Sequence, residues 1–181
     1  MTRAFFARAD GVEHRMCRLA SRICQRFYIR KFFRGVSRLG DGVFWFTLIA
    51  MMPLIIGLDR LREGVAASMH MLAAGALGLI IYKLLKRKLV RERPFVSFEN
   101  IECAMPPLDR YSFPSGHTLH AVLFTTIAVG YAPELTFLLV PFALLVAASR
   151  VFLGLHYPSD VMVGAVLGWF IARLTRLMVF V

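Results

Sequence analysis

The sequence is short of acid, short of cysteine and without repeats. Its 181 residues hold 11 Asp+Glu against 22 Lys+Arg, a formal net charge of +11. Among the few carboxylates, Glu99, Glu102 and Asp109 lie close together but at no ligand spacing, which excludes an oxygen-ligated metal centre there. The three cysteines, Cys17, Cys24 and Cys103, are an odd set at no metal-ligand spacing, so neither a disulfide framework nor a zinc site is expected. Cys17 and Cys24 are seven apart and would share a helix face as small apolar side chains. The pattern of a cleavable leader is also missing: the first long apolar run starts near Gly42, behind a long Arg-rich segment. No internal repeat and no low-complexity tract interrupts the chain.

What the sequence has in excess is apolar surface. Hydrophobic residues make up 58% of it, against about 45–50% in a soluble domain. The surplus sits in five long apolar runs, of which the first two fall within the membrane-spanning range of about 17–25 residues. They cover Gly42 to Leu58, Gly64 to Leu85, Thr118 to Ala132, Leu135 to about Leu155, and Ser159 to the C-terminus. Pro53 falls inside the first, where a spanning helix tolerates a kink. Before them, Arg15, Arg18, Arg22, Arg26, Arg30 and Arg34 recur every three or four residues with Leu19, Ile23 and Phe27 between. That periodicity predicts an amphipathic helix on a membrane surface. A spanning role would cost about 2.5–3.5 kcal/mol for each central Arg. The expected fold is all-α: an integral membrane bundle of about five spanning helices (41–181) preceded by a basic interfacial arm (1–40). The positive charge flanks apolar spans or fills the arm, which points to an anionic membrane surface and an anionic substrate and away from nucleic acid.

Polar residues at membrane helix ends are costly and mark function. They gather in three places: Lys86 and Arg93-Pro94 after the second run, Pro114-Ser115-Gly116-His117 before the third, and Ser149-Arg150, His156 and Asp160 between the fourth and fifth. Counting crossings puts all three on one side of the membrane. Lys86, Arg93 and Arg150 suit a phosphoryl group whose charge spreads in the transition state. Ser115 and Gly116 precede a helix, whose amides and dipole favour an anion. Asp160, four residues after His156, can orient one ring nitrogen and leave the other as nucleophile. His117 then remains to protonate the leaving oxygen. His120, one turn on, is read as core or pocket wall.

Lys86, six residues, Arg93-Pro94; PSGH at 114–117; Ser149-Arg150, five residues, His156, three residues, Asp160: this arrangement resembles the three-part signature of the type 2 phosphatidic acid phosphatase superfamily. The superfamily includes glucose-6-phosphatase and the vanadium haloperoxidases, and the resemblance covers 86 to 160. It implies His156 as a nucleophile forming a phosphohistidine, Asp160 orienting it and His117 as general acid. It further implies Lys86, Arg93, Ser115, Gly116 and Arg150 around the phosphate, with no metal and no cofactor. The expected activity is removal of phosphate from a lipid phosphate: phosphatidate, phosphatidylglycerol phosphate, or an isoprenyl phosphate or diphosphate. The rivals are a lipid phosphotransferase using the same site, a haloperoxidase, and a non-catalytic anionic-lipid binder.

A bacterial inner membrane is the expected setting. If the arm does not cross, eighteen of the 22 basic residues lie on the side of the three clusters. The positive-inside rule then puts the site in the cytoplasm, whereas six-span relatives place theirs on the outer face.

Overall fold

The computed structural model describes residues 10–107 and 109–179. Among the described residues every regular element is helical. In chain order these are α1 (Asp10–Cys24), α2 (Phe27–Leu39), α3 (Val43–Ile56), α4 (Leu61–Lys88), a single turn α5 (Pro94–Ser97), α6 (Gly116–Tyr131), α7 (Thr136–Phe152) and α8 (Pro158–Val179). The chain is thus an all-α membrane bundle, with helices α3, α4, α6, α7 and α8 on the five apolar runs. Three stretches are individually long and apolar enough to cross a membrane: Leu58–Lys88, Pro133–Phe152 and Pro158–Met178. The pair α2 and α3, bent by 49°, passes the same test together. Helix α6 has only 16 residues, about 24 Å at 1.5 Å per residue, and sits in the middle of the bundle.

Helix α6 is central because its neighbours present small residues to it. A Cβ on Gly164 of α8 would lie 2.6 Å from the Ser115 carbonyl oxygen, and one on Gly168 would lie 2.2 Å from that of Leu119. The backbones of α6 and α8 therefore touch along one helix turn, the small-residue packing that replaces hydrophobic driving force in lipid. Around this contact Trp45, Met52, Met71, Leu123, Leu139 and Ile171 fill one core. Outward, Val65, Met69, Phe137, Leu144, Val166 and Phe170 are exposed, an apolar exterior suited to lipid. At the end away from the three clusters, His70 shares hydrogen bonds with Thr175 (2.9 Å) and Tyr131 (3.3 Å).

The arm differs from its expectation. It is two helices, broken at Gln25-Arg26, and one of its faces is buried against the protein. Glu13, Cys17, Ser21 and Cys24 of α1 are buried. Arg30 pairs with Glu102, and Arg34 donates to the Ala104 carbonyl. His14 stacks on Phe98 with ring centroids 3.9 Å apart. Period 3.6 marks an apolar stripe but not what covers it. Here Val12, Met16, Leu19 and Ile23 stay exposed, while the small and acidic positions turn inward. The two cysteines do share that inner face and are free thiols. Burial, aided by Glu13 and Asp160, pushes the Cys17 thiol up to about 12, so it packs as a small apolar group.

Candidate active site

Each polar cluster is set by the end of a helix. Helix α7 stops at Phe152, and Gly154, at φ +74°, reverses the chain. A left-handed glycine just past a helix is a common terminator. A Cβ there would also stand 2.5 Å from the Glu102 carbonyl oxygen. The reversal lets the His156 amide donate to the Arg150 carbonyl (3.1 Å), so the cation and the histidine share one turn. Arg93 crosses from the next loop: its Nη1 donates to the Leu155 carbonyl at 2.8 Å and lies 3.4 Å from His156 Nε2. Ser112 ties the same loop to the carbonyls of Arg91 and Glu92, ahead of the cis Phe113-Pro114 bond.

These elements enclose a pocket of about 30 Å³ lined by Lys86, Arg93, Gly116, His117, Arg150 and His156. Six of the eight residues singled out from sequence thus meet at one surface, and Asp160 stands directly behind His156. The eighth stands apart from that surface. Ser115 is buried outside the lining: its amide donates to the Asp160 carbonyl (3.0 Å) and its hydroxyl meets Thr118 (3.0 Å). The amide expected to meet an anion is already engaged, fastening α6 to α8. His120 bonds the Gly116 carbonyl through Nδ1 (2.9 Å) and faces a neighbouring groove.

The electrostatics are uneven. Arg150 is 2% exposed; its Nη2 donates to the Ser37 hydroxyl, and its Nε has no hydrogen-bond partner. A buried guanidinium served by a neutral hydroxyl is costly until an anion joins it. Lys86 and Arg93 already have one. Asp109 accepts from Lys86 Nζ at 2.6 Å, from Arg93 Nη2 at 2.7 Å and from Tyr82. Burial would raise the Asp109 carboxyl, but these three donors hold it below the usual carboxylate range. The remaining room suits one or two waters, so a phosphoryl group reaches Lys86 and Arg93 only by taking the place of that carboxylate.

His156 is fully enclosed. Burial pushes its imidazole down to about 4 against the opposing pull of Asp160, so the ring is neutral with a free lone pair. Its Nδ1 stands 3.7 Å from Asp160 Oδ2, slightly beyond hydrogen-bond reach. Asp160 instead accepts from the Tyr157 amide at 2.9 Å and from Arg91 Nη1 at 2.7 Å. Arg91 also donates to Glu13 (2.6 Å), and Glu13 takes the Ser159 amide (2.7 Å). Burial opposes the Arg91 charge, but Asp160 and Glu13 hold the guanidinium above its ordinary value. His117, on the opposite wall, hydrogen-bonds Asp41 through Nε2.

Sequence reasoning missed Glu13, Asp41, Tyr82, Arg91 and the role of Asp109. The available signal was scarcity: of 11 acidic residues, four (Glu13, Asp41, Asp109 and Asp160) bind cations or histidines of this site. Among the described residues no group of three His, Cys, Asp or Glu side chains is arranged to hold a metal ion.

Beside the pocket runs an apolar groove of about 510 Å³ between α3, α4 and α6, walled by Trp45, Phe46, Leu72, Leu79 and Phe124. Asp41, Tyr82, Gly116 and His117 line both spaces.

A profile described as the PAP2 superfamily matches residues 67–181. The chain is 33% identical over 137 residues to decaprenylphosphoryl-5-phosphoribose phosphatase of Mycobacterium tuberculosis, covering 75% of this chain and 72% of that one. It is 32% identical over 140 residues to undecaprenyl-diphosphatase BcrC of Bacillus subtilis, covering 74% and 69% respectively. Among solved structures, LpxE of Aquifex aeolicus superposes with TM-score 0.75 at 24% identity, over 90% of this chain and 93% of that one. A PAP2-type phosphatidylglycerolphosphate phosphatase from Bacillus subtilis gives TM-score 0.73 at 24% identity, over 94% and 85%. These structural likenesses speak for the fold.

Proposed function

This chain belongs to the PAP2 superfamily, and on that premise we propose that it is a membrane phosphatase acting on lipid phosphates through a phosphohistidine. The observation that carries the reading is the junction of two spaces: a pocket with three cations and two histidines opens into an apolar groove through shared walls. Only an amphiphile uses both. The groove volume lies within the usual range for small-molecule sites, roughly 300–1,000 Å³, and its walls suit an acyl or prenyl chain. Two relatives are named for polyprenyl-linked phosphates, which favours a long isoprenoid tail.

In this mechanism the phosphoryl group displaces Asp109 from Lys86 and Arg93 and gives Arg150 the anion it lacks. His156 Nε2 attacks phosphorus, with Asp160 behind Nδ1 to stabilise the charge that develops. His117 protonates the departing oxygen, and the phosphohistidine is then hydrolysed. Gly116 brings the N-terminal amides of α6 to the phosphate. The test is phosphate release by the full chain and by His156→Ala in detergent with chelator present, across phosphatidate, phosphatidylglycerol phosphate and prenyl phosphates. Release by the wild type alone is expected; equal release by the variant would sink the assignment.

The arm and the site share one side, since the inward contacts of α1 and α2 are with the loops around the pocket. Its exposed apolar stripe, Val12, Met16, Leu19 and Ile23, with arginines beside it, suits a membrane interface. The excess of basic residues there favours a cytoplasmic setting for this side. A reporter fused to the C-terminus should then read as external; a cytoplasmic reading reverses the orientation.

A further inference from the structure

The carboxylate of Asp41 has no role in the reaction as set out above, yet it touches one of its two histidines. It lies in Gly40-Asp41-Gly42, where α2 gives way to α3 and the chain bends by 49°. The turn is held from both sides. A Cβ on Gly40 would meet the Val146 methyls at 3.1 and 3.2 Å, Gly42 has φ +124°, and the Asp41 amide donates to the Arg38 carbonyl at 3.2 Å. So anchored, the carboxylate points across the pocket mouth to the first turn of α6 and bonds His117 Nε2. It is specific in its choice: His120, one turn further on, bonds the Gly116 carbonyl instead. Asp41 also lines both the pocket and the groove, at the point where a lipid's headgroup joins its tail. It falls outside the segment matched to the superfamily, residues 67–181.

We propose that Asp41 is the positioning residue of the general acid, a second carboxylate–histidine pair that holds His117 charged and turned so that Nδ1–H faces the leaving oxygen. The inference rests on His117 being the acid. The chemistry requires such a partner more at His117 than at His156. The nucleophile works as a neutral ring, and burial keeps it neutral. The acid must enter the reaction carrying a proton on the nitrogen that faces substrate, among the cations Arg93 and Arg150, which disfavour a further positive charge. A carboxylate on the opposite nitrogen stabilises the imidazolium and fixes the ring plane.

The proton then has a closed path. His156 Nε2 forms the P–N bond as the P–O bond to the lipid breaks, and the Nδ1 proton of His117 moves to the departing oxygen. His117 is left neutral, with Nε2–H still donated to Asp41. In the second half, water attacks phosphorus and gives one proton back to His117 Nδ1. The P–N bond breaks and phosphate leaves, restoring both histidines.

A carboxylate near a helix N-terminus also stabilises the helix, so the experiment must separate positioning from structure. A leaving group that needs no proton supplies the distinction. Asp41→Asn, Asp41→Glu and His117→Gln are assayed, as full chains in detergent, on a long-chain alkyl phosphate and on p-nitrophenyl phosphate, whose phenolate departs unprotonated. For Asp41→Asn the ratio of alkyl to aryl kcat/KM, which covers only the steps up to formation of the phosphohistidine and so excludes the later hydrolysis that also uses His117, should fall by about 10²-fold, in the range of general-acid catalysis. Asp41→Glu should restore most of that ratio, and His117→Gln should lower it at least as far. Loss of both activities in equal proportion in Asp41→Asn, with the ratio still lowered in His117→Gln, would overturn the role of Asp41 and leave the acid in place. An unchanged ratio in His117→Gln as well would remove His117 as the acid and the inference with it. Should Asp41→Asn prove unstable, Asp41→Ser, which keeps a turn-forming side chain without the charge, decides: the ratio should fall, and an unchanged ratio would overturn the role of Asp41.

Discussion

The two histidines of the pocket work in opposite settings. His156 lies in the loop between α7 and α8, sealed from solvent, with Asp160 behind it and then Arg91 and Glu13 in a buried line. His117 opens α6 at the mouth of the groove and meets one half-exposed carboxylate across the pocket. A nucleophile gains from desolvation, which keeps its lone pair unprotonated, and from a rigid support that fixes the line of attack. An acid gains from a partner that keeps its proton and from a place beside the leaving group. Under the roles proposed for them, the same side chain is given two tasks by what surrounds it. The supports differ in reach too: that of His117 is one carboxylate, while that of His156 extends out to the N-terminal arm.

The largest effect should come from breaking the nucleophile side. His156→Ala is expected to remove covalent phosphate from the protein after brief exposure to radiolabelled lipid phosphate, and to abolish turnover on alkyl and aryl substrates alike. His117→Gln should instead keep the covalent label when p-nitrophenyl phosphate is the donor. Labelling of His156→Ala would overturn the distinction between the two rings.

A moderate effect is expected from the far end of the support. Glu13→Ala leaves the Ser159 amide without its acceptor and removes a carboxylate from Arg91. Asp160 and His156 then lose a fixed backing. Misplacement of reacting groups by an ångström costs up to about a hundredfold in rate. Turnover should fall by roughly tenfold on every substrate, with the alkyl-to-aryl ratio unchanged, and the melting temperature should drop because a buried ion pair is broken. A changed ratio would mean that the two supports are not separate.

The smallest effect concerns pH. The nucleophile must be unprotonated, and burial lowers the imidazole of His156 from 6.5 to about 4. Its reactive form therefore persists as acidity rises past 6.5 and is lost only as pH falls through about 4. The acid limb of kcat/KM on an aryl phosphate, which reports the free enzyme, should lie near the lower value. A limb near 6.5 would show that His156 is not shielded as its burial implies.

How much of this was legible in the sequence depended on chain distance. The spans declared themselves through length and apolar content. The three polar clusters were legible because each is local: His156 and Asp160 are four residues apart, and Ser149-Arg150 and Pro114-Ser115-Gly116-His117 are contiguous. Local spacing did not show, however, that the Ser115 amide turns to the Asp160 carbonyl once α8 packs on α6. The arm was legible as amphipathic but not as part of the site. Asp41 lies 76 residues from His117, and Glu13 lies 78 from Arg91. No periodicity connects residues so far apart. Nor could sequence tell that Asp109, one acidic residue in a long loop, would turn to Lys86 and Arg93.

The sequence by itself determined that this chain is a helical membrane protein with phosphate chemistry at one end. Both properties follow from composition and short-range spacing, which survive any arrangement of the helices. Tertiary structure alone decided which carboxylate stands beside which histidine, that the basic arm closes over the loop of His156, and that the pocket opens into an apolar groove. Those are contacts between segments far apart in the chain. They exist only once Gly164 and Gly168 let α8 touch α6, and once the turn at Gly40-Asp41-Gly42 aims its one acidic side chain across the pocket.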